Sequence, residues 1–301
     1  MAPNLEIVGV RKSFGDFQAV RGVTLAVPDG TIFGLLGPNG AGKTTTIRMI
    51  MDIIAPDAGE VRLFGRPRRA ADLHRVGYLP EERGLYRKMT VVDHLVFLGE
   101  LHGLRRAAAL PRIAGWLERL ELAAWARKKV EELSKGMQQK IQLVGTVLHE
   151  PEIIVLDEPF SGLDPLNQGL FKEVFADFRR QGKTLLFSTH VLEQAEKLCD
   201  HICLISRGRA ILTGELQAIK RALGGNSWRL VADGDLERLG AVAGVEQAVT
   251  QDGVAKLLLR PGVEGADVLR ELVGFLRVRE FRSQEPDLEE IFVKAVRDAD
   301  A

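Results

Sequence analysis

The sequence predicts an α/β fold with a helical insert, followed by a small α+β domain. Three observations indicate this organisation. Up to about residue 220, short apolar runs typical of strands covered by helices alternate with helix-type stretches. From residue 91 to about residue 150, apolar residues recur at helix spacing and strand signals are few. A linker signal at residues 223–227 then separates domain 1–222, with its helical part at about 88–150, from domain 223–301.

Composition excludes several classes of protein. The 301 residues suit one large domain and a smaller one, or two comparable domains. Lys and Arg together number 41, as do Asp and Glu, so no global field favours nucleic acid. No run reaches the roughly 18 apolar residues of a membrane span, and the N-terminus lacks the layout of a secretion signal. We expect a cytoplasmic protein that only a partner could hold at a membrane.

The elements of the first domain follow from hydrophobic periodicity. Strands are predicted at Leu5–Val10, Ala19–Val27, Thr31–Leu36, Glu60–Phe64, Val76–Leu79, Ile153–Leu156, Thr184–Ser188, Ile202–Ser206 and Ala210–Thr213. Helices are predicted at Thr44–Ile54, Val91–Leu101, Ile113–Leu120, Met137–His149, Gln168–Arg180 and Leu192–Leu198. The mixture indicates a largely parallel sheet interrupted by the helical segment.

The second domain has its own pattern. Strands are predicted at Trp228–Val231, Val245–Thr250, Ala255–Leu259 and Arg277–Phe281, and helices at Asp235–Ala243, Gly265–Leu276 and Leu288–Arg297. This order suggests a ferredoxin-like or related layout. Because so small a domain is marginally stable alone, we expect it to pack on the main body or on another copy. It carries no catalytic constellation, so regulation or dimer contact is the expected role.

Two cysteines, Cys199 and Cys203, flank His201 and could suggest a metal site. Zinc sites need about four ligands at characteristic spacings, and no second cluster exists in the sequence. Reduced, partly buried thiols are the better interpretation.

A phosphate-binding loop at residues 37–46 is the strongest functional signal. It fits G-x-x-x-x-G-K-[ST] and lies between a predicted buried strand and a predicted helix, whose positive N-terminus attracts phosphate. The predicted nucleotide-binding positions are Gly37, Pro38, Asn39, Gly40, Ala41, Gly42, Lys43, Thr44 and Thr45. Lys43 can reach the β- and γ-phosphates, and the Thr44 hydroxyl can bind Mg²⁺. The alternative is an ordinary glycine turn before a helix.

Adjacent carboxylates end the predicted strand at residues 153–156. Asp157 is placed to hold Mg²⁺ directly or through water. Glu158 would face the water that attacks the γ-phosphate and could act as general base. An isolated acidic pair is more often a solvated turn, but one that follows a phosphate loop favours catalysis.

The order of motifs resembles that of the nucleotide-binding subunit of an ABC transporter over residues 5 to about 220. The sequence carries in turn the phosphate loop, the helical insert, Leu133–Met137 (LSKGM), the Asp157–Glu158 strand end, Ser161–Asp164 (SGLD) and Thr189–His190. The resemblance implies a P-loop NTPase of ABC ATPase type that uses ATP and Mg²⁺.

The resemblance assigns roles to further residues. Phe14 matches the aromatic residue that stacks on adenine, although it could be an ordinary strand-end core residue. His190 matches the residue that detects the γ-phosphate. Ser134 and Gly136 match the motif that contacts the nucleotide of the opposite subunit, although Ser134 could merely cap a helix. Asp164 matches a loop across the same interface, so two copies would hold two ATP molecules head to tail.

Three positions depart from the family pattern. Lys135 and Met137 alter the Leu-Ser-Gly-Gly-Gln signature, and Lys135 receives no role. Glu81 stands where the family usually has Gln. A carboxylate would bind Mg²⁺ more strongly than an amide oxygen but would repel the phosphates. We expect Glu81 to line the metal site, and the alternative is a solvated loop acid.

The resemblance implies an ATPase subunit that powers transport through separate integral-membrane permease subunits, from the cytoplasmic face. The stretch from Glu81 to Val91 is the expected permease contact. Residues 77–86 and 285–292 resemble the drug or sodium exporter branch, which favours export. One alternative is a soluble ABC-type mechanoenzyme acting on nucleic acid or ribosomes, but its usual second ATPase half, coiled coils and zinc modules are not visible in the sequence. The other is a module that holds ATP without turnover, which Glu158 and His190 argue against.

Overall fold

The computed structural model describes residues 3–82, 84–223, 226–251, 253–284 and 287–300. Contacts divide the chain into two compact units, Met1–Thr213 and Gly214–Ala301. The boundary between the two units lies before the one predicted from the sequence at residues 222–223. The sequence prediction relied on the glycine pair after residue 223 as a linker signal, whereas the contacts assign the helix before that pair to the second unit.

The described part of the first unit contains two β-sheets. The antiparallel sheet has the order β2-β1-β4-β5 and contains β1 (Leu5–Phe14), β2 (Phe17–Val27), β4 (Ala58–Leu63) and β5 (Arg66–Pro67). The other sheet has the order β10-β9-β3-β8-β7-β6 and contains β3 (Ile32–Leu36), β6 (Val76–Leu79), β7 (Ile153–Asp157), β8 (Thr184–Thr189), β9 (His201–Ser206) and β10 (Arg209–Glu215). Strands β6, β7, β8, β3 and β9 of this sheet pair in parallel.

Parallel pairing decides where the site can form. The fully buried strands β3, β7 and β8 end at Leu36, Asp157 and Thr189. Strands in one parallel sheet finish at the same edge, where open α/β sheets bind ligands. One buried apolar cluster joins both sheets and includes Leu25, Phe33 and Ile47. The strand ends that form the site are therefore anchored in the hydrophobic core.

The helices of this unit are α1 (Lys43–Ile50), α2 (Val91–Leu101), α3 (Arg106–Arg119), α4 (Lys135–Val147), α5 (Pro165–Arg180) and α6 (Leu192–Leu198). Helix α2 packs against α3 and α4, which confirms the helical insert. Helix α1 stops at Ile50, short of the predicted Ile54, because Asp52 adopts a left-handed φ of 59°. In the part of the chain described, none of these helices has the length and apolar character that crossing a membrane requires.

The second unit contains α7 (Leu216–Leu223), β11 (Asn226–Asp233), β12 (Val245–Gln251), β13 (Val254–Leu259), α8 (Gly265–Leu272), β14 (Arg277–Ser283) and α9 (Leu288–Asp300). The described sheet has the order β12-β13-β11-β14 with antiparallel pairing throughout. This is the strand order of a ferredoxin-like fold. Its core includes Leu230, Leu257 and Leu272. The helix predicted at Asp235–Ala243 is a 3₁₀ helix at Leu236–Ala241.

Candidate functional site

The phosphate loop joins the end of β3 to the start of α1, as the sequence predicts. Its conformation demands glycine at two positions. Gly37 has a φ of 150°, and a Cβ there would lie 2.1 Å from the Ile205 carbonyl oxygen. Gly42 has a φ of 106°, and a Cβ would lie 2.7 Å from the Ala19 carbonyl oxygen. Freed of side chains, successive backbone N–H groups can surround an anion at the α1 N-terminus.

Lys43 is anchored at this loop. Its ammonium donates hydrogen bonds to the carbonyl oxygens of Gly37 at 2.8 Å and Pro38 at 3.2 Å. It also lies 3.5 Å from Glu158 Oε1, and its side chain is only 6% exposed. A lysine so confined loses little further freedom on meeting a phosphate. The structure thus brings the predicted lysine and the predicted general base into direct contact.

Asp157 ends β7 and is fully buried. Its Oδ1 accepts hydrogen bonds from Thr44 Oγ1 at 3.2 Å and Ser188 Oγ at 2.5 Å. Its buried Oδ2 has no hydrogen-bond partner among the described residues. Burial, and after it the negative charge of Asp157, raises the pKa of neighbouring Tyr78 to about 12. An unpartnered buried carboxylate oxygen beside a threonine hydroxyl fits a hard cation such as Mg²⁺.

Among the described residues, no three or more His, Cys, Asp and Glu side chains are grouped to hold a metal ion. Mg²⁺ at nucleotide sites is usually bound by one or two carboxylates together with the phosphates and several waters.

Glu158 lies between two partners. Its Oε1 faces Lys43, and its Oε2 lies 3.1 Å from His190 Nδ1. The residue is 8% exposed and has a left-handed φ of 49°. For a residue with a Cβ this conformation costs about 1–2 kcal/mol, so the surrounding contacts hold it in place. The arrangement turns the carboxylate back towards the phosphate loop.

A cavity of about 340 Å³ opens in front of the loop. It is lined by Phe14, Phe17, Ala19, Asn39, Gly40, Ala41, Gly42, Lys43, Thr44, Thr45, Glu81 and Glu158. The structure thus gathers the predicted positions Phe14, Glu81 and Glu158 around one space with the loop. Gly37, Pro38, Asp157 and His190 are not among the lining residues. Gly37 and Pro38 contact Lys43 through their carbonyl oxygens, Asp157 contacts Thr44, and His190 contacts Glu158.

Ser134 and Gly136 are not in this lining. Ser134 caps α4, its Oγ accepting from the Met137 N–H at 3.2 Å, and it remains exposed. Asp164 likewise caps α5, and the Asn167 N–H that it accepts holds the pKa of its carboxyl below the usual range. The cap predicted as the alternative for Ser134 exists. A cap and an exposed contact surface are compatible at a helix N-terminus.

Ser188 is a site residue that the sequence interpretation missed. Its Oγ donates to Asp157 Oδ1 and accepts from the Glu158 N–H at 3.0 Å, so one hydroxyl positions both carboxylate residues. Its place on β8, next to β7 and directly before Thr189, was the available signal. Phe17, which lines the cavity together with residues of the phosphate loop, was missed too.

We expect Ser188→Ala to slow ATP hydrolysis by about tenfold and to destabilise the protein by about 2 kcal/mol, because a buried hydrogen bond to a charged group is lost. Denaturant unfolding and steady-state phosphate release measure the two effects. An unchanged hydrolysis rate would contradict the positioning role of this hydroxyl.

Known proteins with similar sequences and structures fit this geometry. The ABC transporter family matches residues 20–161, and a family described as ATP-binding protein DrrA1-3-like, C-terminal domain, matches residues 214–296. The uncharacterized ABC transporter ATP-binding protein YhaQ of Bacillus subtilis (strain 168) is 43% identical over 297 residues, covering 97% of this chain and 98% of that protein. The Nod factor export ATP-binding protein I of Paraburkholderia xenovorans (strain LB400) is 40% identical over 218 residues, 71% of this chain and 72% of that protein.

A solved structure is also similar. It is described as the ATP binding subunit of an ABC transporter, with a TM-score of 0.67 and 32% identity over 73% of this chain and 92% of that one.

Proposed function

Because this chain belongs to the ATP-binding proteins of ABC transporters, we propose that two copies of it hydrolyse ATP between them and drive export through membrane subunits. The observation that carries the proposal is the chain of contacts from Lys43 through Glu158 to His190 at the mouth of the phosphate loop. Through these contacts the three groups could together bind a triphosphate, orient water and detect the γ-phosphate.

Glu158 is the proposed general base. Its carboxylate lies between the Lys43 ammonium and the His190 imidazole. A γ-phosphate bound by these two groups would lie beside the carboxylate, which could then accept a proton from the attacking water. His190 lies next to Glu158, where it could detect the loss of the γ-phosphate after hydrolysis. Lys43 offsets the negative charge that develops on the phosphate oxygens.

Thr44, Asp157 and Glu81 are the proposed holders of Mg²⁺, which would neutralise charge on the β- and γ-phosphates. The unpartnered Asp157 Oδ2 supports the first two positions, and the place of Glu81 in the cavity wall supports the third. Phe14, half exposed at the same wall, is the proposed support for adenine.

The Ser134–Gly136 tip is proposed to meet the nucleotide held by a second copy. The helix that it begins is tied to the catalytic strand end, because Gln139 Nε2 in α4 donates to the Pro159 carbonyl oxygen at 3.2 Å. ATP would close the dimer by gaining contacts from both copies, and hydrolysis would release it.

Gly136→Ala tests the contact between copies. Within the chain, a Cβ at Gly136 would come no nearer than 3.6 Å to Asn167 Nδ2, an ordinary contact, so the variant should fold normally. Against a partner's phosphate the methyl group would obstruct the backbone N–H. We expect ATP binding by the monomer to persist, ATP-induced dimers to disappear and hydrolysis to fall at least about tenfold.

Gly115→Ala is the matched control, since it is a glycine inside helix α3 with open space at its Cβ. It should leave dimerisation and hydrolysis unchanged. Light scattering with and without ATP, together with phosphate release, distinguishes the two variants. A Gly136→Ala protein that dimerises as the parent does would refute the head-to-tail arrangement.

The permease contact is proposed at Glu81–Val91, on the cytoplasmic face of the membrane. Tyr86 in this stretch is 51% exposed, and its ring lies edge-on to Phe97 of α2 at 5.1 Å. A force applied there would reach the helical segment through this ring contact. The export direction is supported by the names of the Nod factor export relatives and by the second unit.

A further inference from the structure

The tip of the β1–β2 hairpin holds a second exposed aromatic residue. Strands β1 and β2 are joined through Gly15 and Asp16, and Phe14 is directly paired with Phe17 in the register. Residues opposite each other in an antiparallel pair project to the same face of the sheet. The hairpin therefore offers two phenyl rings on one side of its tip.

Both rings are unusually exposed. Phe14 is 52% and Phe17 62% exposed, whereas Val20 and Val23 farther along β2 are fully buried. Both phenylalanines also line the same cavity as Lys43 and Thr44. Paired exposed aromatic residues at a cavity mouth indicate a binding surface, because packing alone would bury them.

The Phe14 side of the tip is held in place. Lys12 Nζ lies 5.9 Å from the centroid of the Phe14 ring and donates to Asp57 Oδ1 at 2.7 Å. Asp57 Oδ2 also accepts from the Ser13 N–H at 2.7 Å, and the hydrogen bond from Lys12 is the main cause of the lowered pKa of Asp57. The Lys12 ammonium therefore lies near the Phe14 ring, and Phe17 has the larger exposed fraction of the two phenylalanines.

We propose that Phe17 is a second base-stacking residue, so that a purine ring contacts Phe14 and Phe17 together. This rests on the proposed nucleotide site. The three hairpin residues that line this cavity, Phe14, Phe17 and Ala19, have side chains without a hydrogen-bonding group. Such side chains bind a base through the area of its flat ring and not through hydrogen bonds to the amino and keto groups of its edge. Purine nucleoside triphosphates are thus the preferred class, with ATP and GTP bound alike and CTP more weakly.

The test compares Phe17→Ala and Phe17→Trp with the parent protein, using ATP, GTP, CTP and inorganic tripolyphosphate as probes in titration calorimetry. Loss of one base-stacking residue should weaken ATP and GTP binding about tenfold in Phe17→Ala. The tryptophan variant should restore it. Tripolyphosphate has no base, so its affinity should change less than about twofold.

Leu101→Ala is the matched control, because it removes a similarly exposed apolar side chain that lies outside the cavity. Equal losses for ATP and tripolyphosphate would mean that Phe17 only stabilises the hairpin, and an unchanged ATP affinity would also overturn the proposal. A strong preference of the parent protein for ATP over GTP would overturn the proposal that the site binds both purine nucleotides alike. Failure of the parent to bind any triphosphate would instead refute the nucleotide site itself.

Discussion

Glu158→Gln is expected to slow ATP hydrolysis by about 10²–10⁴-fold while ATP binding persists. The amide keeps the shape of the side chain, so the left-handed backbone at residue 158 and the contact with His190 can remain. It cannot accept a proton from water. Because closure precedes hydrolysis in the proposed cycle, the variant should also accumulate as an ATP-bound dimer. Single-turnover phosphate release and light scattering measure the two effects.

Glu152→Gln provides the control for this variant. Glu152 lies just before β7, at the end opposite Glu158, and pairs with Arg75 at the surface, Nε to Oε1 at 2.6 Å. The same substitution there should leave hydrolysis at the parental rate. Should Glu158→Gln also hydrolyse ATP at that rate, Glu158 is not the base.

Much of the fold could be predicted because its signals are local. The runs at Val76–Leu79, Val91–Leu101 and Leu192–Leu198 have the predicted bounds in the structure. The α/β fold of ABC ATPase type with its helical insert and the α+β tail are confirmed. Periodicity reports which face of an element is buried, and that suffices to find elements of this length.

What the sequence could not provide depended on tertiary context. Helix α7 was missed because it precedes the glycine pair that indicated a linker. The separation into two sheets was not evident either. Strands β1 and β2 show the alternating pattern of half-exposed strands, and β3 shows the continuous apolar run of a buried strand. Which strands pair with one another is set by contacts between distant segments.

The candidate site divides in the same way. The motif residues Lys43, Asp157 and Glu158 could be found from spacing, since the chemistry needs those residue types in that order. Ser188 and Phe17 act through neighbours that lie far away in the sequence or across a turn. A serine on a buried strand is ordinary by pattern, and its contacts with Asp157 at 2.5 Å and with the Glu158 N–H at 3.0 Å distinguish it. The roles assigned to all these residues remain predictions.

Lys43→Ala is expected to lower nucleotide affinity by on the order of 10²-fold, because hydrogen bonds between an ammonium and phosphate oxygens each contribute about 1.5–3 kcal/mol. The protein should also remain monomeric at ATP concentrations that dimerise Glu158→Gln, since dimer closure requires occupied sites. Lys183→Ala is the matched control: its ammonium also bonds two carbonyl oxygens, those of Glu150 at 3.3 Å and Pro151 at 2.7 Å, but at the far end of β7. Any cost of freeing such carbonyls is therefore common to both variants, and a loss of affinity confined to Lys43→Ala isolates the contact with phosphate. A tight ATP-dependent dimer of Lys43→Ala would contradict the shared-nucleotide arrangement, even if hydrolysis were lost.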